Sequence, residues 1–124
     1  MIGDLLDFCI ERLRESVNDC LVVRGSSVRE IPVPQRKAVA AVYFNGQFTR
    51  TFSYNDDALA NRVGVILRVV AQQGVENADE FIDAVRLALH LAEYGNSFLV
   101  HRETNFIGFE GGVWTYNVVF EELQ

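Results

Sequence analysis

Few side chains in this sequence combine the residue types and the spacing that catalysis or metal binding requires. The two histidines are His90 and His101. A metal site or an acid–base pair would need them to meet in a cleft with a carboxylate such as Asp56 or Glu103. No spacing places an acidic third ligand beside them, so solvent-facing or hydrogen-bonded histidines are expected. We predict no catalytic residues, no metal site and no cofactor.

The remaining reactive groups have simpler interpretations. Cys9 and Cys20 lack the CxxC spacing of metal or redox motifs, and we expect reduced thiols with Cys9 on the buried face of a helix. Asp56-Asp57 follows a strand, where such side chains bond the backbone of a turn. Nucleotide loops lie between a strand and a helix. The glycine-rich segment here lies in a hairpin between two strands, so a nucleotide loop is excluded. Its glycines are Gly108, Gly111 and Gly112.

The composition favours one globular domain covering residues 1–124. Hydrophobic residues make up 49% of the chain and charged residues 23%, the balance of a packed protein. The net charge of −6 opposes non-specific binding to nucleic acid, since a phosphate backbone repels an acidic domain. The N-terminus, MIGDLLDF, has no basic segment, and no apolar run is long enough to span a bilayer. We therefore expect a cytoplasmic protein without a membrane role.

Two amphipathic helices are predicted from apolar residues at spacings of three and four. The first runs from Ile2 to about Val17. The second begins at the capping pattern of Asn77 and Glu80, and Gly95 suits the position just past its end. The buried stripes are Ile2, Leu5, Leu6, Cys9, Leu13 and Val17 in the first helix, and Phe81, Ile82, Val85, Ala88, Leu89 and Ala92 in the second.

A hairpin is the clearest local prediction. Asn45-Gly46 separates the runs Ala38–Phe44 and Gln47–Tyr54, and Asn-Gly between apolar runs favours a type I′ turn. A two-residue loop would pair Phe44 with Gln47, Tyr43 with Phe48, Ala41 with Arg50 and Val39 with Phe52. The segment Asn55–Asp57 would then form the next turn.

Four further strand segments complete the predicted sheet. Leu21–Arg24 is short, and Ile31–Pro34 is an edge or connecting loop because its prolines lack ladder donors. Arg62–Gln72 is a long strand with Val63, Val65, Leu67 and Val69 on one face. Two final strands, Ser97–Phe109 and Val113–Glu121, join at Gly111-Gly112, with a bulge expected in the first of the pair. This order predicts an α+β fold, a mostly antiparallel sheet with two α-helices packed on one face.

The element order resembles that of the tail terminator (tail completion) proteins of long-tailed bacteriophages and prophages. The likeness spans nearly the whole chain and is one of pattern and order. It is carried by the helix LLDFCIERLRESV, the strand RVGVILRVVAQ, the helix NADEFIDAVRLALHL and the terminal pair ending in GGVWTYNVVFEEL.

The resemblance implies a homo-hexameric ring without enzymatic activity. In that family the ring caps the last ring of the tail tube, ends tube growth and presents a surface to the head. The implied partners are further copies of the chain, the tail tube protein and the head–tail connector protein. The implied location is the virion tail, assembled in the bacterial cytoplasm, with no direct nucleic-acid recognition.

A closed ring requires a heterologous contact, in which one patch of a subunit meets a different patch of the next. Strand edges and protruding hairpins supply such patches. We therefore predict an assembly surface at the hairpin tip and three arginines: Tyr43, Phe44, Asn45, Gly46, Gln47, Phe48, Arg50, Arg62 and Arg68.

Other functions stay open on the sequence alone. A related head–tail connection or minor tail role would fit the same features. A small-molecule or peptide-binding α+β module, possibly dimeric, would show a closed apolar pocket under the sheet. An enzyme would need the histidines and carboxylates named above to converge.

Overall fold

The computed structural model describes residues 2–25, 37–53, 56–71 and 75–123, with side chains left undescribed at 48–53, 56–59 and 75–77. The chain forms two helices and six strands. They are α1 (Ile2–Ser16), β1 (Cys20–Arg24), β2 (Ala38–Ser53), β3 (Asp56–Val70), α2 (Val75–Leu89), β4 (Glu93–Tyr94), β5 (Ser97–Glu110) and β6 (Val113–Leu123).

The strands form one six-stranded sheet in the order β1-β2-β3-β6-β5-β4. β1 lies parallel to β2, and every other pairing is antiparallel. Both helices pack on the same face, so the predicted α+β class is confirmed. The predicted strand Leu21–Arg24 is confirmed as β1, which begins one residue earlier. The segment 31–34 lies outside the described residues.

The core lies between the helices and one face of the central strands. The predicted stripe of β3 is confirmed, because Val63, Val65, Leu67 and Val69 are all fully buried. Opposite this stripe lie the apolar faces of the helices, which match the prediction at most positions; Ile2 and Ile82 are only partly buried, whereas Ile10 and Ala78 are buried in addition. The buried helix residues are Leu5, Leu6, Cys9, Ile10 and Leu13 in α1, and Ala78, Phe81, Val85, Ala88 and Leu89 in α2.

The predicted Asn45-Gly46 hairpin turn is wrong. β2 continues through these two residues and pairs with β3 from Ala38 opposite Val69 to Ser53 opposite Asp56. The predicted pairs Phe44–Gln47, Tyr43–Phe48, Ala41–Arg50 and Val39–Phe52 are therefore absent. β2 ends at Ser53, positions 54–55 lie outside the described residues, and the predicted turn residues Asp56-Asp57 are instead the start of β3.

Asn45-Gly46 forms a β-bulge instead. The two residues oppose a single residue of β3, since Phe44 pairs with Val63 and Gln47 pairs with Asn61. Gly46 has a φ of 102°, a conformation that glycine adopts without a side-chain clash. A bulge and a type I′ turn both use this freedom, so the local sequence does not distinguish them.

The predicted ends of α2 are also wrong. The helix begins at Val75, so Asn77 lies inside its first turn and is not the capping residue. Gly95, with a φ of 59°, lies in the turn between β4 and β5. The left-handed residue after the helix is Leu91, with a φ of 64°, and its N–H donates to the Leu99 carbonyl.

The C-terminal hairpin follows the prediction closely. Gly111 and Gly112, with φ values of 59° and 74°, form the two-residue turn between β5 and β6. The predicted bulge in β5 is confirmed, and a second one is present. The register shifts once between His101 and Glu103 and again between Phe106 and Gly108.

We predict that Gly64→Ala destabilises the fold. On the helix-free face, the Tyr43 ring lies directly over Gly64, and an added Cβ would lie only 2.2 Å from the ring atom Cε1. Because hydrogen bonds hold this ring, its displacement should lower the free energy of unfolding by about 1–3 kcal/mol in urea denaturation. Gly108→Ala is the matched control, because its Cβ would meet open space. Equal effects in the two variants would show that the Tyr43 contact does not constrain the sheet.

Candidate interaction surface

The two histidines meet at the junction of α2 and β5. The backbone N–H of His101 donates to Nδ1 of His90 at 3.0 Å. The His101 ring lies 2.9 Å from the Thr104 hydroxyl, through Nε2. Burial lowers the pKa of His101, and the nearby charges of Arg86 and His90 lower it further. The pair thus fastens the end of α2 to β5 by a hydrogen bond.

Asp56, one of the carboxylates named with these histidines, lies far from them along the sheet. His101 pairs with Phe120, which pairs in turn with Val63 of β3. Asp56 lies seven residues earlier on that strand, roughly 23 Å away at the usual rise per residue. Among the described residues, no group of three or more His, Cys, Asp and Glu side chains could hold a metal ion.

Cys9 and Cys20 are buried thiols rather than a disulfide. Burial raises the pKa of Cys9 to about 12, and the charge of Glu122 adds to the rise. Since the thiolate is the reactive form of cysteine, Cys9 is suited to packing and not to nucleophilic chemistry.

Glu121 is the one acidic residue among the buried polar groups of the described chain, with 1% of its area exposed. Arg62 donates to its Oε1 through Nη2 at 3.2 Å, and Arg102 donates to the same oxygen through Nε at 2.9 Å. A buried carboxylate needs such partners to offset its lost hydration. Arg62, predicted for the assembly surface, is therefore engaged in a structural ion pair between β3 and β6.

Tyr43 and Asn45, also predicted for the assembly surface, take part in a network on the helix-free face. The Tyr43 hydroxyl donates to Oδ1 of Asn117 at 2.9 Å and accepts from Nδ2 of Asn45 at 3.0 Å. Burial raises the pKa of Tyr43, which the bond with Asn117 partly offsets. These groups hold the β2 bulge against the sheet, so they do not form a protruding tip.

The other predicted assembly residues are scattered. Phe44 is 40% exposed beside the Gly46 bulge, and Gln47 donates to the Asn61 side chain at 2.8 Å. The side chains of Phe48 and Arg50 lie outside the described residues. Arg68 is half-buried on the helix-free face and lines a cleft of about 210 Å³. Ile107, Gly108, Phe109, Glu110 and Thr115 line the same cleft.

Exposed apolar side chains collect instead along β5. In the described part of the chain, seven large hydrophobic residues are exposed, and three of them are neighbours on β5. We call this set the β5-edge surface. It consists of Phe106 (56% exposed), Ile107 (49%) and Phe109 (52%). Contiguous exposed apolar groups of this kind are common where proteins contact other molecules.

Aromatic rings of β6 pack against the two phenylalanines of the β5-edge surface. The Phe106 ring lies 5.8 Å from that of Trp114 and 5.5 Å from that of Tyr116, while Phe109 lies 4.5 Å from Trp114. Burial, followed by the charge of Asp79, raises the pKa of Tyr116. Because the rings brace one another, the exposed Phe side chains are held in a fixed arrangement.

Most of β5 is an open edge. The two residues of β4 pair only with Ser97 and Phe98. Next along β5, the backbone of Leu99 forms hydrogen bonds with the backbones of Leu91 and Ala92, and the N–H of His101 donates to the His90 ring. Beyond His101, no described strand pairs with β5 on its outer side. Sequence reasoning missed this surface. The two bulges in β5 disturb the alternation of apolar and polar residues by which an exposed strand face is recognised.

The comparisons with known proteins add no family. A scan against protein-family models gives no match for this chain, and a search of curated proteins gives none either. Within the described residues, no helix combines the length and apolar character needed to cross a membrane.

We predict that Glu121→Gln destabilises the fold. Loss of the charge weakens the bonds from Arg62 and Arg102, and the half-exposed positions of these arginines moderate the cost. The free energy of unfolding should fall by about 1–3 kcal/mol in urea denaturation. Glu103→Gln, an exposed change on neighbouring β5, is the control and should have little effect. A stable Glu121→Gln variant would show that the carboxylate charge is dispensable.

Proposed function

We propose that this chain is a non-catalytic structural protein of a long-tailed bacteriophage or prophage, a tail terminator. In this role several copies form a ring that caps the tail tube, ends its growth and provides the surface for joining the head. Its partners are further copies of itself, the tail tube protein and the head–tail connector protein.

The β5-edge surface is the observation that supports this proposal most directly. Its three large apolar side chains are each about half exposed, on a strand whose outer edge is largely unpaired in the described structure. An exposed edge of this kind favours association with another chain. A protein that works by assembly needs such a surface, whereas an enzyme needs converging catalytic groups.

A second supporting feature is the ribbon formed by the outer parts of β2 and β3. From Gln47–Asn61 to Ser53–Asp56 the two strands pair with each other. The pairing of β3 with β6 ends at Arg62, so within the described residues this ribbon has no third strand. A two-stranded ribbon is only marginally stable alone in water. Contact with a neighbouring molecule would stabilise it, as a ring or a tail tube would provide.

The ligand-binding alternative has less support. Such a module needs an apolar pocket under the sheet, but the helix-side core is filled by fully buried side chains. A larger cleft of about 260 Å³ lies between the end of α1 and α2. Its lining is mainly polar and includes Ser16, Asn18, Asp19, Lys37 and Glu80. This lining does not favour an apolar ligand.

The first test is the mass of the protein in solution, measured by light scattering after size exclusion over a wide concentration range. Six copies of the 14.0 kDa chain would give about 84 kDa, and that species would support the ring. A dimer that binds small molecules in a thermal-shift screen would instead favour the binding module. A monomer at every concentration, which also fails to bind the tail tube, would contradict the terminator role.

We predict that Arg68→Glu weakens the ring while the monomer stays folded. Arg68 lines the same cleft as Ile107 and Phe109, so the substitution places a negative charge next to the β5-edge surface. The fraction of ring at a fixed concentration should fall, with an unchanged circular dichroism spectrum. Arg86→Glu, on the exposed face of α2, is the charge-matched control. Unfolding of Arg68→Glu would assign Arg68 a structural role, and an unchanged ring would remove it from the assembly surface.

A further inference from the structure

We propose that the β5-edge surface of one copy packs against the β1 edge of the next copy. The β1 edge is the outer side of β1, with Leu21 and the guanidinium groups of Arg14 and Arg24. This inference rests on the proposed function as a self-assembling protein, and it names the two surfaces that meet. The occupant of the β5-edge surface is thus a second copy of this chain.

The two surfaces lie at opposite ends of the sheet. The strand order places β1 at one edge, whereas β5 lies at the other with only the two-residue β4 beyond its first residues. A contact between unlike edges is heterologous, so an open chain of copies keeps one unsatisfied edge at each end until a ring closes. Contact between two β5 edges would be isologous and would stop at a dimer.

The chemistry of the β1 edge complements that of β5. Arg14 donates through Nη2 to the Val22 carbonyl at 3.1 Å, which places its guanidinium beside β1. Arg24 donates to the Gly3 carbonyl at 3.0 Å and pairs with Asp7. Leu21 is 39% exposed and alternates with Cys20 and Val22 of the helix-side core, so it lies on the helix-free face of β1. The β1 edge therefore presents one apolar side chain on the helix-free face and two arginines on the helix side.

The β5 edge presents the groups that arginines bind. Phe106 and Phe109 offer exposed aromatic faces, over which a guanidinium is attracted by the ring quadrupole. Glu103 and Glu110 are exposed carboxylates on the same strand. Arg102 of this strand is paired with Glu121, just as Arg24 of the β1 edge is paired with Asp7, so the charge contrast between the two edges comes from Glu103, Glu110 and Arg14. Opposed charges and paired apolar groups favour contact between β5 and β1 over contact between two β5 edges.

The contact is made by side chains and not by an extended ladder of backbone hydrogen bonds. Two bulges interrupt β5, and His90 already accepts the N–H of His101. On β1, the Val22 carbonyl already accepts a hydrogen bond from Arg14. Such interruptions protect sheet edges from indiscriminate strand pairing. They leave the exposed side chains as the specific part of the contact.

Two single substitutions and their mixture test this arrangement. Ile107→Glu places a carboxylate in the β5-edge surface, and Leu21→Glu places one on the β1 edge, opposite the carboxylates of β5. Each should weaken self-association on the order of 100-fold. Leu87→Glu makes the same chemical change on the outer face of α2, where Leu87 is 76% exposed, and should leave association unchanged. Circular dichroism of each variant checks that it is folded.

The mixture distinguishes the proposed contact from other ones. Each variant alone should be a 14.0 kDa monomer, because one of its two surfaces is blocked. Mixed in equal amounts, the two variants retain one compatible pair of edges and should form a heterodimer of about 28 kDa that grows no further. Light scattering and crosslinking of the mixture report this species.

Other outcomes overturn the inference in recognisable ways. If Leu21→Glu still assembles like the wild type, the β1 edge is not the partner, and a dimer would indicate β5–β5 contact. If the mixture stays monomeric while the wild type forms a ring, the subunit contact uses other surfaces and the ring proposal survives. A wild type that neither self-associates nor crosslinks at high concentration removes both the contact and the ring.

Discussion

The burial of one apolar stripe on β3 organises the rest of the structure. Val63, Val65, Leu67 and Val69 lose all contact with solvent because β2 and β6 flank the strand and two helices cover its face. The hydrophobic free energy of such burial is the main favourable term in folding. β3 therefore determines which face the helices occupy. It also leaves β1 at one edge of the sheet and most of β5 at the other.

The opposite face of the sheet carries a small apolar cluster, formed by Val39, Ala41 and Ile66, together with specific polar contacts. Tyr43 crosses Gly64 to reach Asn117, and two arginines hold the buried Glu121. Polar groups removed from water must find partners, so these contacts fix the relative positions of β2, β3 and β6. Tyr43, Asn45 and Arg62, which the sequence predicted for the assembly surface, therefore form contacts within the sheet.

The two edges of the sheet have different character. At β1 the Arg14 side chain covers a backbone carbonyl, whereas beyond His101 the β5 edge carries half-exposed Phe106 and Phe109. Bulges limit ladder extension from β5, so recognition there depends on side-chain shape and charge. At the other end of β5, the hydrogen bond from the His101 N–H to His90 links the strand to the residue that follows α2.

The sequence by itself determined the elements whose signals are local. Apolar spacing located both helices and the buried face of β3, and Gly111-Gly112 located the last turn, because helical period, strand alternation and positive φ depend on neighbouring residues alone. Tertiary structure decided the rest. Asn45-Gly46 is a bulge because β3 pairs along the whole of β2, and no local property distinguishes that from a hairpin turn. The same holds for the interaction surface: whether Phe106 and Phe109 are buried or exposed depends on which strand lies at the edge, and only the long-range pairing of the sheet sets that order.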